Sequence, residues 1–240
     1  MSATKYFTTT VKPIMLPVKM NSGAYADDDV LFDFQGFEIP RGTNRLVGAT
    51  ALVRGNDGVA QELPFDLVFA SRNTHSLGTE HATANGAPNP YLLGIMGFAA
   101  TDYGQNSLDV MSIATARANR SNLCITGDHS YAGNSQRMGF DRVYVGGLAG
   151  GAFNFASTVA VTAQHTASAS TVLTLDGKSA LLVLAEGDAI RADDNQLIGT
   201  IKTVDSATQI TLEEANIGQI EDGDEIYNVS PIHLLLHFER

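Results

Sequence analysis

The chain has 240 residues, 44% hydrophobic and 17% charged, enough to bury a substantial core in one or two domains of roughly 100–200 residues. Its formal net charge of −11, from 15 basic against 26 acidic residues, argues against a groove for a phosphate backbone, which needs clustered Lys and Arg, so nucleic acid is excluded as a partner. The single Cys124 excludes an intramolecular disulfide and a cysteine-rich zinc site; no apolar stretch resembles a signal peptide or reaches the ~18 residues of a membrane span, and a soluble chain made in a cytoplasm is expected.

In chain order, residues 6–10 and 14–20 read as edge strands broken by Pro13 and Pro17, and Val30-Leu31-Phe32-Asp33-Phe34, after the acidic turn Asp27-Asp28-Asp29, as a core strand. Residues 46–53 and 63–69 flank Gly55-Asn56-Asp57-Gly58, whose tolerance of positive φ predicts a hairpin. The polar stretch 71–90, ending in Asn85-Gly86-Ala87-Pro88-Asn89-Pro90, is a long loop of the kind that covers a partner. Residues 91–99 fit a strand or a helical turn, and 109–119 a short helix through Val110, Ile113 and Ala114. Cys124, between Leu123 and Ile125, reads as a small buried hydrophobe. A second loop, 127–139, precedes the strand Arg142-Val143-Tyr144-Val145.

Past Phe153-Asn154-Phe155 the composition shifts to Ala, Ser, Thr and Val, and short β-runs follow, ended by Gly-Asp or Asp-Ser turn chemistry: 181–184, Gly187-Asp188-Ala189-Ile190, Gly199-Thr200-Ile201, 204–212 and Gly223-Asp224-Glu225-Ile226-Tyr227. In the last run, 232–238, the unbroken Leu234-Leu235-Leu236 predicts a strand buried on both faces. Placing that strand with the first half makes the expected fold all-β: a jelly-roll-like β-sandwich of residues 1–156 and 231–240, with a small β-barrel-like module inserted at 157–230.

Chemical motifs are few. Gly177-Lys178-Ser179 ends like a phosphate-binding loop, but Val172 stands where the earlier Gly is required, so a β-turn is expected. Asp128-His129-Ser130 puts an acid, a base and a hydroxyl in one loop, yet a triad needs its base between the two partners in space, which adjacent residues rarely achieve. His75, Glu80 and His81 carry metal-ligating atoms in what reads as a solvated loop, and His233 and His237 share one strand face with Leu235 between them. Asp27, Asp28, Asp29, Asp193 and Asp194 lack the spacing of a helix-loop-helix calcium site. Asn119-Arg120-Ser121 and Asn228-Val229-Ser230 match a glycosylation pattern that has meaning only on secretion. No catalytic residue, cofactor or metal site is assigned.

The runs at 187–190, 198–201, Val204-Asp205, 208–212 and Gly223-Asp224 resemble small β-barrel modules of tailed-phage structural proteins. Tyr25-Ala26-Asp27-Asp28-Asp29-Val30-Leu31-Phe32-Asp33 and residues 49–67 are similar to virion proteins of phages that infect aquatic bacteria. The resemblance implies a non-enzymatic virion structural protein, a capsid decoration or cement protein on the capsid exterior that binds the major capsid protein as a homotrimer, with no membrane partner. A rigid scaffold with long contact loops suits that role, and it directs attention to loops 71–90 and 127–139 and to the arm 1–19, pre-stiffened by its prolines. The contact residues expected there are Tyr6, Phe7, Pro13, Pro17, His75, His81, Pro88, Pro90, His129 and Tyr131. The alternative is a tail-fibre or adhesin-like protein stacking host-surface glycans on Tyr25, Tyr91, Tyr103 and Tyr131, against which the absence of Trp counts.

Overall fold

The computed structural model describes residues 5–104, 111–117, 123–134, 137–177 and 180–240. In chain order the strands are β1 (Tyr6–Val11), β2 (Val30–Pro40), β3 (Asn44–Arg54), β4 (Phe65–Ala70), β5 (Leu92–Phe98), β6 (Met111–Arg117), β7 (Leu123–Ile125), β8 (Phe140–Ala149), β9 (Val172–Thr174), β10 (Ala189–Ala192), β11 (Leu197–Ser206), β12 (Gln209–Leu212), β13 (Ile226–Asn228) and β14 (Ile232–Glu239). The fold is all-β and sandwich-like, with antiparallel sheets of which one curls into a half-barrel. One sheet runs β1-β14-β3-β6, with β7 also on β3; a second runs β2-β8-β4-β5; a third runs β13-β10-β11-β12-β9.

The first two sheets share one apolar cluster, in which alternate residues of β3 (Leu46, Ala51, Val53) and β14 (Ile232, Leu234, Leu236, Phe238) meet Phe37, Ile39, Phe65, Leu67 and Val145 of the facing sheet. Aromatic pairs fill its middle: Phe65 stacks on Phe98 at 4.6 Å between ring centroids and Phe153 on Phe155 at 5.6 Å, each pair worth about 0.5–1.5 kcal/mol beyond the area it buries. The third sheet has a separate core of Val159, Leu173, Leu175, Val183, Ile190, Ile198, Ile201, Ile210, Leu212, Ile220 and Ile226. Arg54, at the end of β3, makes a bidentate ion pair with the buried Asp188 beside β10 and ties the two cores together.

Several expectations are corrected here. Residues 46–53 and 63–69 form no hairpin: β3 pairs with β14, β6 and β7, whereas β4 lies in the other sheet between β8 and β5, and residues 55–64 carry the chain across. Within the expected helix 109–119, residues 111–117 are the strand β6, held by seven register partners on β3, while 109, 110, 118 and 119 lie outside the described residues. Of residues 181–184, read as a β-run, the first three belong instead to a helical turn, Ala180–Val183, and Leu184 follows it. Strand β14 is buried on one face only, so Leu235 is half-exposed between His233 and His237. Alternation also overturns the reading of Cys124: Ile125 points inward, and the thiol between its apolar neighbours is exposed. Residues 91–99 resolve as the strand β5.

Candidate interaction surface

At one end of the sandwich β2 and β4 finish, β5 and β8 begin, and loops 71–90 and 127–139 meet. Their foundation is a small aromatic cluster on the outer face of the second sheet, where Leu77 and Tyr131 from the loops pack on Phe34, Val68, Ala70 and Tyr144. Leu77 N–H donates to Asp33 Oδ1 at 2.8 Å, and Tyr144 Oη donates to Gly133 O at 3.0 Å, so each loop is pinned to a strand of this sheet. Asn134 pins the second loop again, donating to Asp128 O and accepting from Arg142 N–H.

Arg72 joins the loops. Its Nε donates to Asp128 Oδ2 at 2.7 Å, its Nη1 to Tyr91 Oη at 3.3 Å and its Nη2 to Ser130 Oγ at 3.0 Å, while the guanidinium lies 4.4 Å from the centroid of the Tyr91 ring and 5.5 Å from that of Tyr131. Tyr131 Oη donates to Asn73 Oδ1 across the same seam. Hydrogen bonds from Ser130 and the Arg72 guanidinium hold the Asp128 carboxyl below its usual range. His129 turns the other way, with Nδ1 2.8 Å from Oδ1 of the buried Asp141, so it does not lie between Asp128 and Ser130. Those three residues make structural contacts and form no triad.

The expected contact residues separate into groups. His75, against the Tyr91 ring at 5.8 Å, and Tyr131 belong to the Arg72 seam, with Pro88 and Pro90 exposed beside it and His129 half-exposed on its flank. His81 sits elsewhere, its ring 4.6 Å from that of the buried Tyr25 and its Nε2 3.2 Å from Gly23 O. Residues 5–19 of the expected arm are not free, and residues 1–4 lie outside the described residues. Tyr6 is exposed on edge strand β1, but Phe7 stacks on Phe238, and Pro13 and Pro17 are buried in a strap that also sinks Met15 and Met20. Met15 N–H donates to Val229 O and Leu16 N–H to Glu80 Oε2, both at 2.8 Å, which seats the strap against the rest of the chain. Burial raises the Glu80 carboxyl to about 7, with Asp33 adding to the effect and the Leu16 amide and Lys19 opposing it.

Tyr25 and Tyr103 are buried, and Tyr91 already carries a guanidinium on its ring. Among the described residues no group of three or more His, Cys, Asp or Glu is placed to hold a metal ion, and no helix is long and apolar enough to cross a membrane. Arg72, the residue that joins the loops, was not singled out from the sequence; the available signal was one cation two residues past the end of strand β4, with no other Asp, Glu, Lys or Arg between Asp66 and Glu80. No protein-family model, curated protein or solved structure matches this chain.

Proposed function

We propose that the chain is a non-enzymatic virion structural protein that decorates the capsid exterior, docking on the major capsid protein through the loop end of its sandwich. The observation that carries this reading is the Arg72 seam, which converts two long loops into one pre-ordered surface backed by a packed sheet, the arrangement that lowers the ordering cost of docking on another protein. The resemblance of residues 25–33 and of the β-runs after 187 to phage virion proteins supplies the kind of partner. The glycan-stacking alternative is weaker, since two of its four tyrosines are buried and a third has a cation on its ring.

Sedimentation of the purified protein with capsid shells stripped of accessory proteins tests the proposal. The expected outcome is co-sedimentation and a shell more resistant to heat, with binding lowered at least roughly tenfold by Tyr131→Ala. A protein that stays in the supernatant at every ratio sinks the reading.

A further inference from the structure

The net charge is unevenly distributed. Residues 157–230 hold twelve acidic against three basic side chains, so this third of the chain carries −9 of the total −11. Asp176, Glu186, Asp194, Asp205, Glu213, Glu214, Glu221 and Asp222 are all exposed there. At the loop end of the sandwich the balance reverses. Lys5, Arg41, Arg45, Arg137, Arg142 and Arg240 are exposed, while the acids among them, Glu38, Asp128, Asp141 and Glu239, are buried or half-buried. The two regions lie at opposite ends of β3, which starts at Asn44 beside the cationic end and finishes at Arg54 on Asp188; eleven strand residues span about 36 Å.

Each end also offers apolar shape. Met138 projects from the turn before β8 at 96% exposure, with Arg137 stacked 3.9 Å over the Phe140 ring beside it. In the acidic segment a cleft of about 150 Å³ is lined by Leu197, Gly199, Thr200, Ala215 and Ile217, with Glu213 and Glu214 in its wall, and both Leu197 and Ile217 are exposed. An apolar knob among arginines and an apolar cleft walled by glutamates, on opposite ends of one molecule, complement each other in charge and in polarity.

We infer that copies of this chain associate head to tail, the Arg137-Met138 turn of one docking in the Leu197–Ile217 cleft of the next. This goes beyond the proposed shell-binding role and requires no shell; because Arg137 and Met138 belong to the loop end assigned to shell docking, one copy uses that end for the shell or for the next copy, not for both at once. Such a contact is heterologous, closing into a ring where the rotation permits and otherwise extending into a filament.

Sedimentation velocity of the full chain tests it, in dilute buffer and in ~1 M salt, where the screening length falls to about 3 Å. Self-association that weakens in salt is expected. Arg137→Ala/Met138→Ala removes the knob without creating a partner for a cationic cleft, and Glu213→Lys/Glu214→Lys reverses the wall of the cleft; all four side chains are exposed, and circular dichroism checks that both variants fold. Each variant alone is expected to sediment as a monomer, whereas their mixture, retaining one intact knob and one intact cleft, forms a 1:1 dimer that goes no further. A wild-type monomer at all concentrations, association unchanged by both variants, or a mixture that stays monomeric overturns the inference.

Discussion

Glu80 shows how one buried carboxyl couples the molecule to pH. Its carboxylate accepts the Leu16 amide, which favours the charged form, but burial outweighs that and raises its pKa from 4.5 to about 7. The folded state therefore binds this proton more tightly than the unfolded chain does. The resulting stability is fully present below the ordinary carboxyl range and is lost as pH rises through about 7. At ~1.4 kcal/mol per pKa unit the difference between pH 5 and pH 8 is on the order of 2–3 kcal/mol. Glu80→Gln keeps an acceptor for Leu16 N–H and removes the charge, so its stability relative to wild type is expected to rise by that amount from pH 5 to pH 8. Urea midpoints at the two values measure it, and a parallel pH dependence in both proteins would exclude Glu80 as the source.

Among elements, β8 shows why glycine is required in a central strand. It lies between β2 and β4, and Gly147 stands opposite Phe32 in register. A Cβ on Gly147 would overlap the fully buried Phe32 ring. Gly147→Ala is expected to cost about 1–3 kcal/mol by overpacking, while Gly104→Ala, where an added Cβ meets nothing within 4 Å, is expected to stay within about 0.5 kcal/mol. Thermal melts of the two variants compare them directly; equal losses would mean that Phe32 moves aside freely. The same scale explains the strap before β2. Pro13 and Pro17 interrupt the strand pattern, and a chain that cannot continue a ladder there turns its apolar residues Met15 and Met20 into the core instead.

For the whole molecule, the two apolar cores predict a separable architecture. The chain enters the acidic segment at Ser157 and returns through its last strand, β13, from Ile226, and the two points touch, since Ser157 Oγ donates to Ile226 O and Ile226 N–H to Val159 O. Bridging 158 to 227 with a short Gly-Ser linker therefore demands little rearrangement, and the sandwich is expected to fold without residues 159–226. A cooperative melt and dispersed amide NMR signals from that shortened chain would support this, whereas a molten or aggregated product would show that the two cores depend on one another. Arg54, left without Asp188 in such a chain, is better replaced by Gln to avoid a stranded cation.

Local chemistry determined a definite share of this structure. Alternating apolar runs and Gly-Asp turns made it all-β, marked β2, β8, β10, β12 and β14, and bounded the loop 127–139, because strand period and turn geometry are properties of neighbouring residues. Sheet membership was not legible in that way. Whether β3 pairs across the Gly55-Asn56-Asp57-Gly58 turn or with a strand about 180 residues later depends on which apolar faces meet, and both pairings satisfy the same local pattern. The same holds for the candidate surface. Its loops were visible as polar stretches, but the Arg72–Asp128 contact that unites them spans 56 residues, and the charge polarity emerges only when β3 sets a cationic loop end and an acidic segment at its two ends. Non-local pairing decides these features, because a contact between distant residues is set by the packing of everything between them and not by the residues alone.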